Sequence, residues 1–360
     1  MADVIKLLAS GSPAALLIGA AALIVGVAAS TLYIVAFVQG RSISFWPPSI
    51  GARPTPPTTN GVARDLAIRA DIPPNPVVDR GTVVRAASGA SYTIASPFYG
   101  GANATLYKAS DPVGRAVIVK VYWRGLAPNS PAWELFQHEQ RASEGLNHRN
   151  IVKTLDRGLR AGYPFTVFDL LAGGTLRDWL RTHDRVPGDD IVSIAGQVAD
   201  AIDYAHSQGV VHRDVKPGNI LFESDPRGRV ALSDFGVASM LGAVERDITA
   251  SGGEFAGSAG YLAPESISGR APTQAVDVYS FGVVVYEMIS KSMPFDERGD
   301  VLAIIRAKVD QDAPDIRRFR PDVPEAIARR LASTLAREPG GRPPTARAVL
   351  AGIEDGIRKL

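Results

Sequence analysis

The sequence predicts an α+β chain of two lobes, a small β-rich one followed by a larger helical one, with a transmembrane helix and a proline-rich linker ahead of them. Three observations predict it. No Asp, Glu, Lys or Arg lies between Lys6 and Arg41. Short β-type runs separated by turn residues fill the stretch to Tyr122, and amphipathic helical spacing dominates beyond Leu176. The resulting division is a tail at 1–13, the membrane helix at 14–38, a juxtamembrane linker at 39–81 and a folded domain at 82–360, its lobes at about 82–168 and 172–360.

The apolar heart of the uncharged run, Ala14 to Val38, reads AALLIGAAALIVGVAASTLYIVAFV. A helix of that length spans roughly 37 Å, enough to cross a hydrocarbon layer with some tilt. A buried core helix seldom stays uncharged on every face for so long, and a signal-peptide core is shorter, about 7–15 residues. The run is therefore read as an uncleaved anchor, with Tyr33, Phe45 and Trp46 near its C-terminal interface. Arg41 and Arg53 follow the span against Lys6 before it, a count that only weakly favours the folded domain inside. Only residues 1–13 precede the span, so no extracellular sensor domain is expected. Ala22, Gly26 and Ser30 recur at four-residue intervals on one face, a spacing that would let two membrane helices approach closely and pair as a homodimer, but one that an Ala- and Gly-rich span often shows by chance.

Eight prolines (Pro47, Pro48, Pro54, Pro56, Pro57, Pro73, Pro74 and Pro76) interrupt regular structure after the span and favour extended chain. This is a spacer, with a short helical piece conceivable at Val62 to Arg69 and partner binding the less favoured role. The globular part follows. SYTIAS, ATLYKAS and RAVIVKVYW read as strands, with turns at Tyr99-Gly100-Gly101 and Asp111-Pro112-Val113-Gly114. Ala132 to Leu146 reads as a helix, and Ile151 to Asp156 and Phe165 to Asp169 as further strands. Asp190 to Ser207 puts Ile191, Ile194, Ala195, Val198, Ala201, Ile202 and Ala205 on one stripe, with Asp189 or Asp190 as N-cap.

Composition excludes several classes. Hydrophobic residues make up 46% and charged residues 21%, so a packed core is possible. A net charge of only +2 argues against a nucleic-acid partner. The chain has no cysteine, which rules out disulfides, cysteine-ligated zinc and thiol nucleophiles, and its five histidines lack metal-ligand spacing.

The chemistry concentrates in HRDVKPGNIL at 212–221 and DFG at 234–236. Phosphoryl transfer from ATP needs a carboxylate to take the proton of an attacking hydroxyl, and cations to offset the phosphate charge. Asp214, Lys216 and Asn219 offer a base, a cation for the γ-phosphate and a metal ligand, and Asp234 adds a second metal carboxylate hinged by Gly236.

With these motifs the chain resembles a eukaryotic-like bacterial Ser/Thr protein kinase, from about residue 90 to the C-terminus. The resemblance implies a bilobal protein-kinase fold, ATP and Mg²⁺ (or Mn²⁺) as cofactors, and protein Ser/Thr hydroxyls as acceptors. It implies that Lys120 in Val117-Ile118-Val119-Lys120 holds the phosphates and pairs with a glutamate on the next helix. Glu134, Glu139 and Glu144 compete for that role; the Phe136-x-x-Glu139 pattern favours Glu139, leaving Glu134 and Glu144 on a solvated face. It further implies adenine contacts from Ile118, the backbone of Asp169 and Leu171, and Leu221, with Phe168 as gatekeeper. Gly257 to Glu265 looks like the end of an activation segment. Asp277 matches the aspartate that anchors the catalytic loop, and Arg342 is placed to pair with Glu265. Arg213 before the catalytic aspartate implies control by a phosphate on Thr249 or Ser251. Ser258 is a lesser candidate, better suited to hydrogen-bond Asp214 and Lys216.

The sequence departs from the family at two places. The three glycines of the family's phosphate loop fall on Tyr99, Gly101 and Ala104, so only Gly101 remains, and Ile118 stands where the family has alanine. These departures keep a nucleotide-binding pseudokinase as the alternative, beside a membrane scaffold acting through the linker and a small-molecule phosphotransferase. The intact set Lys120, Glu139, Asp214, Asn219 and Asp234 favours an autophosphorylating, membrane-anchored kinase, single-pass, with its catalytic domain cytoplasmic. His206 is expected to be packed or capping, and His212 to pack under Phe235. Trp123, Trp133 and Trp179 are expected to pack, and Ile327, Leu331 and Leu335 to be core.

Overall fold

The structure is a computed structural model that describes residues 78–100, 104–122, 136–137, 141, 143–226, 228–235, 259–267, 272–295 and 301–360. The span expected at 14–38, its dimerisation face and most of the linker lie outside the described residues. Among the described residues no helix is long and apolar enough to cross a membrane.

The N-terminal lobe is a six-stranded antiparallel sheet: β1 (Val83–Arg85), β2 (Ser91–Gly100), β3 (Ala104–Ser110), β4 (Ala116–Tyr122), β5 (Thr154–Arg160) and β6 (Tyr163–Asp169), in the order β1-β2-β3-β4-β6-β5. Alternation along β4 sets its two faces. Val117, Val119 and Val121 are buried with Tyr107, Phe165 and Val167 on one face, which leaves Ile118 and Lys120 on the other. The β3–β4 turn falls where it was expected, tied by the Asp111 carboxylate, which accepts from the amides of Val113 and Arg115. Positive φ at Ala161 (49°) and Gly162 (85°) makes the tight β5–β6 hairpin, whose twist matches that of its strands.

Three boundaries differ from those read in the sequence. Val78 is buried and its amide donates to the Tyr107 hydroxyl at 3.2 Å, and the Gly81 amide donates to Ile94, so the last residues assigned to the linker pack on the sheet. The strand expected from Ile151 starts at Thr154. Asn150 to Val152 bond instead to Leu232, and pairing with β6 begins only beyond them. The turn placed at Tyr99-Gly100-Gly101 is strand as far as Gly100, which pairs with Thr105.

The second lobe is helical: α1 (Leu176–Thr182), α2 (Gly188–Ser207), α3 (Pro264–Ile267), α4 (Gln274–Ser290), α5 (Val301–Asp310), α6 (Glu325–Thr334), α7 (Ala346–Leu350) and α8 (Glu354–Arg358). A two-stranded ribbon, β7 (Ile220–Phe222) with β8 (Val230–Leu232), interrupts it between α2 and α3. The predicted stripe of α2 is buried throughout, but Pro187 is its N-cap, with Asp189 and Asp190 inside the first turn. The fixed φ of proline starts the helix early, and the two carboxylates then favour its positive end. Helix α4 is buried on nearly every face, as befits a central helix. A Cβ at Gly282 would sit 2.4 Å from Thr334 Cγ2, so only glycine lets α4 and α6 approach this closely. Ile327, Leu331 and Leu335 are core as expected.

Candidate active site

The site is built on one buried carboxylate. Asp277 in α4 is fully buried and takes three hydrogen bonds of 2.7 Å, from the amides of His212 and Arg213 and from His206 Nε2. It fixes the start of the loop that follows α2, as the resemblance implied. His206 is thereby a buried histidine bonded to Asp277, in keeping with the packed role expected of it. Arg213 adopts φ 69°, a conformation rare outside glycine that the Asp277 bonds hold in place.

His212 braces the loop from the other side. Its Nδ1 accepts from the Asp214 amide at 3.1 Å, so Nε2 carries the proton and donates to the Ser233 carbonyl at 2.7 Å. Its ring meets Phe235 edge to face at 4.4 Å, in the packing expected for it. The histidine thus ties the loop bearing Asp214 to the residue next to Asp234.

The loop's polar side chains converge on Asp214. Lys216 Nζ lies 2.8 Å from Asp214 Oδ2, and Asn219 Nδ2 donates to both Oδ2 and the main-chain carbonyl of Asp214, each at 2.8 Å. Across the cleft Lys120 Nζ lies 2.7 Å from Asp234 Oδ2. Burial alone would lower the pKa of Lys120, but the adjoining Asp234 carboxylate outweighs it and leaves the ammonium above its ordinary value. Burial likewise raises Asp234, and the charge and hydrogen bond of Lys120, with the charge of Lys216, overcome it, holding the carboxyl below its ordinary value. Both groups are charged near neutrality. Asp234 also has positive φ, 67°, a strained setting for a non-glycine residue.

These groups fit a hard divalent cation. Both donated bonds of the Asn219 amide go to Asp214, which leaves its carbonyl oxygen as an acceptor, and Asp234 has one carboxylate oxygen beyond the one that meets Lys120. Amide and carboxylate oxygens are the donors that Mg²⁺ prefers.

Above the polar groups lies an apolar cluster. Ile118, Val152, Phe168, Leu171 and Ala231 are buried together, with Leu106, Leu170 and Leu221 packed against them. Ile118, Phe168, Leu171 and Leu221 were all expected here. Leu106 was not assigned a role; it sits opposite Lys120 in the β3–β4 register, and its place on the face shared with Ile118 could have been read from strand alternation. Asp169 caps β6 and pairs with Arg115 at 3.3 Å.

Gly101, Glu139, Gly236, Thr249, Ser251 and Ser258 lie outside the described residues, as do Trp123 and Trp133. Glu144 corrects an expectation: it forms an ion pair with Arg157 of β5 instead of facing solvent. Glu265 and Arg342 form a two-pronged pair, with Nη1–Oε1 at 2.6 Å and Nη2–Oε2 at 2.8 Å, both side chains buried. Trp179 packs edge-on against Phe222, as anticipated.

Residues 100–351 match the family description "Protein kinase domain". The chain is 34% identical over 265 residues to serine/threonine-protein kinase PknL of Mycobacterium tuberculosis, covering 73% of this chain and 65% of PknL. It is 30% identical over 264 residues to serine/threonine-protein kinase PrkC of Bacillus subtilis, covering 73% of this chain but 40% of PrkC. It thus spans about two thirds of one relative and two fifths of the other. Among solved structures, the PknI kinase domain of M. tuberculosis superimposes with a TM-score of 0.60 at 24% identity, over 79% of this chain and 99% of that one. Rad53 1–466 in complex with AMP-PNP gives 0.56 at 28% identity, over 74% and 65%.

Proposed function

The chain belongs to the eukaryotic-like bacterial Ser/Thr protein kinase family, and on that premise we propose that it transfers the γ-phosphate of ATP to serine and threonine hydroxyls of proteins. The convergence of Lys216 and Asn219 on Asp214, facing the Lys120–Asp234 pair, is the observation that carries this proposal. Asp214 orients the acceptor hydroxyl and takes its proton as the oxygen attacks phosphorus. Lys216 meets the charge on the transferring phosphoryl group, and Lys120, with Glu139 as its helix partner, holds the α- and β-phosphates. Asn219 and Asp234 hold Mg²⁺ or Mn²⁺, which when bound offsets phosphate charge. The adenine lies in the cluster of Ile118, Leu171, Leu221 and Leu106, bonded to the main chain at Asp169 and Leu171, with Gly101 over the phosphates. The AMP-PNP bound to Rad53 is in keeping with a nucleotide in this cleft. Incubation with labelled ATP and Mg²⁺, followed by phosphosite mapping, tests the proposal. Nucleotide binding without turnover would favour the pseudokinase instead.

Control is proposed to run through Arg213. Its buried Nε has no hydrogen-bond partner among the described residues, although buried donors are normally satisfied. A phosphate on Thr249 or Ser251 supplies that partner and orders the activation segment by charge-assisted bonds. The double variant Thr249→Ala with Ser251→Ala is expected to lose at least tenfold in activity, about the worth of one such bond. Full activity in it would refute the scheme.

Anchoring through 14–38 places the kinase domain on the cytosolic side, where ATP is found. Pairing through Ala22, Gly26 and Ser30 raises the local concentration of two domains and promotes phosphorylation in trans. Gly26→Ile is expected to slow autophosphorylation as lipid is diluted. An unaffected trans reaction would sink the pairing, and protease access to the domain from outside intact cells would sink the orientation.

A further inference from the structure

Two large aromatic side chains stand exposed side by side at the end of β2, Phe98 at 47% and Tyr99 at 54%. Tyr99 holds the first of the three loop-glycine positions. The backbone there needs no glycine: Tyr99 has no positive φ, and it pairs with Leu106 as Gly100 pairs with Thr105. The strand thus runs on regularly to Gly100, over a stretch where a flexible loop was expected. Apolar rings left in water are unfavourable, so two adjoining ones at the mouth of a cleft point to a ligand that covers them.

Strand pairing fixes the face on which Tyr99 stands. Pro97 lies opposite Tyr107 and Tyr99 opposite Leu106, so Phe98 is the extra residue of a bulge. Side chains directly opposite one another share a face. Tyr99 therefore shares the face of Leu106, and Leu106 that of Lys120. This is the face of the cleft, since Leu106 packs on the cluster around Ile118 and Lys120 reaches Asp234. Phe98 is held at the outer edge of that face, its ring centre 4.9 Å from the Lys108 ammonium. The row Tyr99, Leu106, Lys120 crosses three strands, which puts Tyr99 about 10 Å from Lys120 in main-chain spacing. With the base in the apolar cluster and the phosphates at Lys120, the sugar that joins them is the part left to lie under β2.

We propose that Tyr99 is a nucleotide-binding residue whose ring packs over the ribose and the adjoining face of the base. The proposal rests on the placement of ATP in the kinase reading above. Where the family's glycine would bring main-chain amides close to the phosphates, this chain holds the nucleotide from the nucleoside side, through an apolar contact on a rigid strand.

The test is equilibrium binding of ATP, ADP and adenosine to the full-length protein and to Tyr99→Phe, Tyr99→Ala and Tyr99→Gly. Tyr99→Phe is expected to bind all three as wild type does, because the ring and not the hydroxyl makes the contact. Tyr99→Ala and Tyr99→Gly are expected to bind about threefold to tenfold more weakly, the range of one aromatic contact. The factor should be the same for all three ligands, since the ring touches only the part they share. A loss confined to ATP and ADP, a loss shared by Tyr99→Phe, or a gain in ATP affinity on Tyr99→Gly would overturn the proposal. So would a loss in Tyr99→Gly with none in Tyr99→Ala, which traces to backbone freedom and not to the ring. The side chain is exposed and its φ suits any residue, so the variants keep the fold, and Tyr99→Ala decides where glycine loosens the strand. Wild-type protein that binds the ligands but transfers no phosphate refutes the kinase activity and leaves this test standing, whereas wild-type protein that binds none of the three overturns both.

Discussion

Asp214→Asn is expected to lower phosphoryl transfer about 10³-fold, within the range for removing a general base, while leaving the protein folded and able to bind ATP. The geometry separates these consequences. An asparagine at 214 still accepts from Lys216 and Asn219, which both lie 2.8 Å from Asp214 Oδ2, so the loop keeps its shape. The amide oxygen is far less basic than the carboxylate and cannot take the hydroxyl proton. Lys120→Met should give a similar loss in turnover by another route. It leaves the Asp234 carboxylate without the ammonium 2.7 Å away and removes a charge from the phosphates, so nucleotide affinity falls as well. Autophosphorylation measured against thermal unfolding separates the two. Asp214→Asn should lose activity at an unchanged melting temperature and ATP affinity. Wild-type autophosphorylation in either variant would remove the basis of the site assignment.

The parts of this site that were legible in the sequence are those whose function forces several residues into one short stretch. Asp214, Lys216 and Asn219 must converge on the same atoms, so they sit within six residues and announce themselves. Asp277 and the Glu265–Arg342 pair were legible by resemblance, because a buried charge tolerates few substitutions for its partner. Other features had no such mark. Lys308 bonds to main-chain carbonyls, which every residue possesses, and in a short amphipathic helix a lysine reads as solvent-facing. Glu144 was assigned to solvent because its partner, Arg157, lies on a strand thirteen positions on, brought near only by the fold. The strand β1 has three residues and one buried side chain, too little alternation to detect. Val78 is buried in the core cluster of the sheet, its amide bonded to the Tyr107 hydroxyl, and nothing in a proline-rich stretch signals where packing resumes. The N-cap of α2 moved to Pro187 because proline starts a helix without supplying a side-chain cap, which sequence reasoning assigned to the nearby aspartates.

Arg342→Ala is expected to be the most destabilising single change, costing about 3–5 kcal/mol, the range for breaking a buried ion pair. The guanidinium side chain is 0% exposed and forms two bonds to the Glu265 carboxylate. It also donates to the carbonyls of Ala275, Ala336 and Arg337 and lies 4.9 Å from the Tyr279 ring centre. Alanine leaves Glu265 as a buried charge without its counter-ion, strips donors from three carbonyls and opens a void beside Tyr279. At roughly 2–4 °C per kcal/mol for a domain of this size, the melting temperature should fall by about 10 °C. Arg342→Lys keeps the charge but not the planar fork, so it should fall between alanine and wild type. Removing both charges with apolar residues, Arg342→Met with Glu265→Leu, should be less destabilising than Arg342→Ala alone, because no buried charge is left unpaired. Activity should fall in each variant in step with the folded fraction at the assay temperature. Thermal unfolding of the four proteins checks the order, and an Arg342→Ala protein within about 1 kcal/mol of wild type would mean that Glu265 finds another partner or a proton at little cost.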